Sequence, residues 1–387
     1  MKWIKRIFVS IVIVMLVAVG TLFITGNEHV LYGVGKTYLK GKTAPDIDDM
    51  PYFSTRAIPA DRPQPWPVNL IKNTESAIPD ELMHKMDSME TTAFLVISRD
   101  TIVFEQYFRG FSDTTHSNSF SVAKSFLSIL VGVAIDEGYI ESLDQPVGDF
   151  IPEFREGVNA SLTVRHLLQM TSGIPFGESY QDPFGYMAKA YYGKDLVAET
   201  MKFKVEKEPG TQWVYEGGNT VLLGLILERA TGRTVSQFFF EKVWSCVGAE
   251  STAYWNLDKK DGMEKTYSGF YSTARDFARI GKLYKNEGRW GADTLVSPDF
   301  ARLSVTPNGI PDVKGEACKW YGLHWWIGEY QGMRLFSCRG LRGQYIIVIP
   351  ERDLVVVRLG HQQVKERRNH MPVDMDWYIE AALRIAQ

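Results

Sequence analysis

Ser121 and Lys124 bound the single Ser-x-x-Lys stretch of the chain. A hydroxyl and an amine at that spacing are the parts of an activated nucleophile. Residues three apart share one face of a helix, so the Lys124 amine can approach the Ser121 hydroxyl. An amine taken out of water loses part of its preference for the charged form and becomes a base nearer neutral pH. The amino end of a helix also offers backbone N–H groups to an oxyanion that forms there. On these four residues alone a second arrangement is equally good, a serine cap followed by a lysine that reaches back to the surface. The setting is more telling. From Ser121 to Glu137 almost every residue is apolar or small, including Val122, Phe126, Leu127, Ile129, Leu130, Val131, Val133 and Ile135. A helix apolar on nearly every side belongs in a core, where a lysine is costly and needs a reason.

A phenol is the next candidate. Glu208-Pro209-Gly210-Thr211-Gln212-Trp213-Val214-Tyr215 leads into an apolar run from Asn219 to Glu228. The Pro-Gly pair marks a turn, Tyr215 ends the extended piece, and a helix is expected after it. A phenol held beside a lysine can relay protons between nucleophile and leaving group. Taken alone, Tyr215 is equally an ordinary aromatic at a loop–helix junction.

These residues need a scaffold, and the ends of the chain supply strands for one. Residues 92–98 and 101–107 flank Arg99-Asp100, a two-residue connection that predicts an antiparallel hairpin. More strands are expected near residues 323–330, 333–338, 344–349 and 354–359, and a last helix over 374–385. Residues 121–285 look mainly helical. The expected fold is therefore α+β: an antiparallel β-sheet built from both chain ends, flanked by helices, with a large helical insertion.

Together these features resemble the serine β-lactamase and penicillin-binding superfamily, most closely its class C-like branch of esterases, D-aminopeptidases and 6-aminohexanoate-dimer hydrolases. The resemblance spans roughly residues 90–385. Ser119-Phe120-Ser121-Val122-Ala123-Lys124-Ser125 is similar to the family's nucleophile motif, and residues 167–174, Leu-Leu-Gln-Met-Thr-Ser-Gly-Ile, to the segment after it. Residues 209–215 are similar to the approach to the family's tyrosine; Thr273-Ala274-Arg275-Asp276 and residues 344–351 also look familial. The resemblance implies an acyl-enzyme on Ser121, with Lys124 and Tyr215 as the proton-transfer pair and no cofactor or metal. It implies an oxyanion hole from the backbone N–H groups of Ser121 and Leu341. The fold it implies is the β-lactamase/transpeptidase type.

The chain also departs from the family. Cys338-Arg339-Gly340-Leu341 occupies the place of a Lys-Thr-Gly motif, so the lysine that holds the carboxylate of a β-lactam is missing. An asparagine is usual two residues after the tyrosine; Gly217 stands there, and Asn219 is the nearest substitute. Arg339 and Arg342, with Gly340 between them, are candidates for holding an anionic substrate, the alternative being arginines that simply face solvent. Cleavage of an ester or amide small molecule is expected, and true β-lactamase activity is not. The competing reading is a penicillin-binding-like binding or sensor protein that has lost turnover.

The amino end carries a different signal. Lys2, Lys5 and Arg6 precede residues 7–24, which hold no charge. At 1.5 Å per residue that run measures about 27 Å, close to the hydrocarbon thickness of a bilayer. A transmembrane anchor is expected, its basic end in the cytoplasm and the catalytic domain outside. A cleaved signal with Ala18-Val19-Gly20 near its end is the rival, which would make the protein secreted. Three units follow: 1–25 as membrane anchor or signal, 26–75 as an extended arm, 76–387 as the hydrolase domain. Gly33-Val34-Gly35-Lys36-Thr37 looks like a phosphate loop but has Val30 where its first glycine belongs. With 387 residues and a net charge of −3, no basic field points to nucleic acid. The three cysteines, odd in number and without Cys-x-x-Cys spacing, argue against both a disulfide framework and a zinc site.

Overall fold

The computed structural model describes residues 2–69 and 78–386. Its centre is a six-stranded antiparallel sheet. β1 (Thr55–Ile58) lies elsewhere; β2 (Thr91–Ser98) and β3 (Thr101–Tyr107) form the hairpin at one edge. Arg99 and Asp100 both adopt positive φ, 48° and 60°, the turn that matches the twist of its strands. After a small separate hairpin of β7 (Arg289–Trp290) and β8 (Asp293–Thr294), the far end of the chain supplies the other strands: β9 (Trp326–Tyr330), β10 (Met333–Gly340), β11 (Gln344–Ile349) and β12 (Leu354–Gly360). The order is β3-β2-β12-β11-β10-β9, so β12 pairs with β2 and joins the two ends. Every residue of β2, β11 and β12 is buried, because helices cover both faces.

One face packs on α3 (Asp80–Ser88) and the last helix, Met375–Ile385; Phe94, Val96, Ile347 and Val356 point that way. The other face carries Leu95, Ile346, Val348 and Val357 into the main core, where α4 (Val122–Asp136) is the central rod. Thirteen of its fifteen residues are buried. Behind it lie α5 (Val164–Leu168), α6 (Tyr186–Tyr192), α7 (Leu196–Thr200) and α8 (Gly217–Thr231).

The inserted region is less purely helical than its sequence suggests. It contributes β5 (Ala253–Asn256) and β6 (Phe270–Ser272) to a second sheet of order β1-β5-β6-β4, with β4 at Ser117–Asn118. Strands of two to four residues are too short to display alternation. The segment expected as an extended arm is partly regular. It holds a helix, α2 (His29–Lys36), and the edge strand β1, which pairs Thr55 with Asn256 through Ile58 with Ala253. The Trp66 indole N–H donates to the Arg275 carbonyl at 3.0 Å, so the segment is built into the domain surface. Residues 70–75 of that expectation lie outside the described residues.

α1 (Lys2–Ile24) stands apart, long and apolar enough to cross a membrane or serve as a signal, and none of its residues is buried against the protein. The Thr273–Asp276 motif has a structural task. Thr273 caps the helix Ala274–Lys285, and Asp276 accepts hydrogen bonds from the N–H groups of Glu250 and Ser251 and from buried Arg279.

Candidate active site

The chain enters α4 through a strained turn. Ser119 N–H donates to the Phe270 carbonyl at 2.7 Å, and the Asn118 side chain accepts from Phe120 N–H at 2.9 Å. Between these ties and the helix, Phe120 takes φ 46°, a region that bulky residues rarely enter. Ser121 then sits at the N-cap, yet its hydroxyl makes no cap hydrogen bond. Among the described residues, its backbone N–H has no recorded acceptor. The serine-cap alternative is therefore not the one adopted.

Nor does the lysine reach the surface. Lys124 is 1% exposed, and its Nζ donates to Ser121 Oγ at 3.0 Å and to the Tyr267 carbonyl at 3.1 Å. The amine also lies 5.0 Å from the centre of the Tyr215 ring. Burial lowers its pKa to about 8, against an opposing pull from the Glu178 carboxylate. Part of the population is then neutral at ordinary pH, as a general base requires.

Tyr215 is delivered by the segment before it. Gly210 N–H donates to Thr171 O at 2.8 Å and Val214 N–H to Met170 O at 2.9 Å, so the extended piece is laced to Met170–Gly173. Gly173 has φ 70°, and a Cβ there would lie 2.0 Å from the Lys207 carbonyl oxygen. The phenol is packed by Tyr321 and Trp326, ring centres 6.0 and 5.4 Å away. Burial, then the nearby Glu178 charge, pushes its pKa well up, while a hydrogen bond with Ser121 works the other way. Tyr215 is thus a neutral phenol, able to donate a proton.

Gly340 brings the edge of β10 against the nucleophile turn. A Cβ on Gly340 would lie 2.2 Å from the Ser119 carbonyl oxygen, so only glycine permits this approach. Leu341 follows directly. Its turn is clamped by buried Arg358, whose guanidinium donates to the carbonyls of Arg342 at 2.8 Å and Gly343 at 2.7 Å.

The remaining candidates are each engaged with the protein itself. Arg342 donates to Pro45 O and His361 O at 2.7 and 2.8 Å, which spends its fork on holding the arm. Arg339 is buried, bonded to Ser337 Oγ and the His370 carbonyl, with one terminal nitrogen unpartnered. The two guanidiniums differ: Arg342 is taken up by backbone carbonyls, while Arg339 lies 5.0 Å over the Trp326 ring that packs on Tyr215. Asn219 is fully buried and donates to the Met170 sulfur at 3.4 Å. Cys338, in the place of the family's lysine, points into the core, where burial pushes its thiol up to about 12.

Two contributors had no signal in the sequence. Glu178 reaches in from a loop, and its carboxylate accepts the Gly217 N–H at 2.6 Å, at the position where an asparagine is usual. Tyr267 acts on the amine through its carbonyl, with its ring centre 5.6 Å away, and carbonyl positions are invisible to residue patterns. His324, buried under Lys124's helix and bonded to Thr220 Oγ1 and Leu168 O, is lowered to about 3 by burial and the neighbouring amine. Among the described residues no cluster of three or more His, Cys, Asp or Glu is arranged to hold a metal ion.

Comparison with known proteins shows the family and the fold. A family model described as Beta-lactamase matches residues 80–375. A 6-aminohexanoate-dimer hydrolase of Paenarthrobacter ureafaciens is 28% identical over 313 residues, covering 76% of this chain and 78% of the relative. Among solved structures, a Bacillus anthracis protein provisionally described as a 6-aminohexanoate-dimer hydrolase superposes with TM-score 0.74 at 21% identity, over 92% of this chain and 93% of its own. A D-stereospecific amidohydrolase from Streptomyces sp. reaches 0.60 at 17% identity, over 80% and 97%.

Proposed function

Since the chain belongs to the beta-lactamase family, and is on that footing a hydrolase, we propose that it is a serine hydrolase that cleaves an ester or amide through an acyl-enzyme on Ser121. The observation that carries this reading is the amine of a fully buried lysine 3.0 Å from an uncapped serine hydroxyl. In its neutral form Lys124 directs an N–H to the Tyr267 carbonyl and turns its lone pair to the Ser121 hydroxyl, whose proton it takes when Oγ attacks. The N–H groups of Ser121 and Leu341 bind the resulting oxyanion. The proton passes from Lys124, by way of the Tyr215 phenol, to the departing alcohol or amine. Water then attacks the acyl-enzyme and gives a proton to Lys124, which returns it to Ser121 Oγ as the acyl C–O bond breaks and the acid leaves.

Ser121→Ala should abolish turnover of a chromogenic ester and remove labelling by a fluorophosphonate probe, read by intact mass. Equal labelling of wild type and variant would refute acylation at Ser121. The pH profile gives an independent check. With the working base deprotonating near 8, kcat/KM should rise with pH and level off above that value. Glu178 favours the charged amine, so Glu178→Gln should move the rising limb to lower pH; a limb that stays put or moves up would remove Lys124 as the titrating base.

A second reading, a binding protein with little turnover, draws on Cys338 and Gly217, which replace the family's cation and amide. It is distinguished by stoichiometric labelling of Ser121 without catalytic release of product.

We further propose that α1 is an uncleaved anchor, crossing the membrane through residues 7–24 with the catalytic domain outside the cytoplasm. Its 23 residues span about 34 Å, and its apolar side chains have no protein surface to cover.

A further inference from the structure

The end of α1 is a closed turn. Gly26, at φ 67°, donates to Phe23 O at 3.2 Å, and Asn27 N–H to Leu22 O at 2.7 Å, the double bond that terminates a helix with a left-handed glycine. Val30 N–H bonds Asn27 O at 3.1 Å, so α2 starts at once. Residues 25–28 are the whole connection, and even fully extended they reach only about 14 Å.

α2 is docked on the domain. His29 is 3% exposed, with Nε2 2.8 Å from the Pro183 carbonyl. A Cβ on Gly33 would touch the Tyr192 ring at 3.2 Å, and the Lys194 ammonium lies 4.3 Å over the Tyr32 ring. Pro183 belongs to the same loop as Glu178, which bonds Gly217 beside Tyr215, and as Tyr180, which bonds Glu178. The chain therefore leaves the membrane helix and, within one short helix, touches the rim of the reaction site. Tyr180 and Phe184 of that loop are 57 and 52% exposed; Tyr38 and Leu39, just past the far end of α2, are 63 and 77% exposed, with Lys40 next in sequence. Tyrosine, leucine and lysine together suit the boundary between headgroups and acyl chains.

We infer that the loop 177–185 rests at the headgroup level of the outer leaflet, and that the substrate is a membrane-borne amphiphile whose ester or amide bond lies at that depth. This rests on the hydrolase reading and on the anchor. Bound there, a lipid-like substrate meets Ser121 without leaving the bilayer, whereas a flexible tether would let the site turn away.

The test uses the full-length protein in phosphatidylcholine/phosphatidylglycerol vesicles, with p-nitrophenyl acetate in the water and p-nitrophenyl palmitate in the bilayer. Inserting about 20 Gly/Ser residues between Gly26 and Asn27 frees the domain by tens of ångströms. The rate on the embedded ester should fall at least tenfold relative to wild type, with the soluble ester unaffected, and Tyr38→Asp with Leu39→Asp should act in the same direction. An unchanged ratio in both variants would overturn the placement. Soluble-ester turnover that survives Ser121→Ala would instead overturn the hydrolase reading. An arm independent of activity keeps the two apart: in a Cys246→Ser background, a fluorophore on Phe184→Cys should be quenched by headgroup spin-labelled lipid, and one on Glu81→Cys, in α3 behind the six-stranded sheet, should not. Equal quenching at both positions would refute the orientation whatever the enzyme does.

Discussion

Lys124→Met should reduce acylation of an ester substrate by about 10³-fold or more while leaving the protein as stable as wild type, or more so. The two halves of this expectation come from one feature. Lys124 is 1% exposed, makes two hydrogen bonds and has no carboxylate partner within ion-pair distance among the described residues. Desolvation dominates its environment and lowers its pKa to about 8. A buried cation without a partner works against folding, and a thioether of similar length fills its space without that cost. Stability and chemistry thus pull in opposite directions at this position. Single-turnover release of p-nitrophenol, together with thermal unfolding of both proteins in the same detergent, reads the two halves at once. A variant that keeps its acylation rate would remove Lys124 from the mechanism; a variant that unfolds many degrees earlier would show that the amine serves the fold instead.

Gly340→Ala is expected to lower kcat by about 10²–10³-fold with little change in KM, the loss typical of one displaced oxyanion donor. The added methyl would stand 2.2 Å from the Ser119 carbonyl oxygen. Both partners are backbone, so no side chain can swing aside. The end of β10 must therefore move away from the turn that carries Phe120 and Ser121, and it takes the Leu341 N–H with it. Arg358 holds the next two carbonyls from behind, which confines the movement to the few residues between. Burst kinetics with an activated ester would separate this effect from a loss of binding. A raised KM with unchanged kcat would place Leu341 outside the oxyanion hole.

Ser121, Lys124 and Tyr215 were legible because each belongs to a local pattern. The first two lie one helical turn apart on an apolar helix, and the third ends a Pro-Gly turn before another. The sheet was equally legible: β2 with β3, and the strands between residues 326 and 360, are long enough to show their pattern, and Arg99-Asp100 marks a tight hairpin. The arm was not, since its regular elements are one short helix and a four-residue strand that exists only by pairing with β5. Arg342 illustrates the limit at the site. Its charge and its place beside the Gly340 turn suggested a substrate anion, and only the folded chain brings Pro45 O and His361 O, from 297 and 19 residues away, into its fork. Glu178 was missed for the converse reason. It sits in a loop without periodicity, and its approach to Gly217 is decided by where Met170–Gly173 directs the chain.

Local spacing and apolar periodicity carried the buried serine–lysine pair, the phenol and the long apolar helix, because those depend on residues a turn or a strand apart. Tertiary structure alone decided which carbonyl receives the amine, which arginine keeps a free nitrogen, what carboxylate lies near the amine and where the amino-terminal segment meets the domain. Those outcomes depend on groups brought together from distant parts of the chain, where each donor and acceptor takes the nearest partner that packing leaves it.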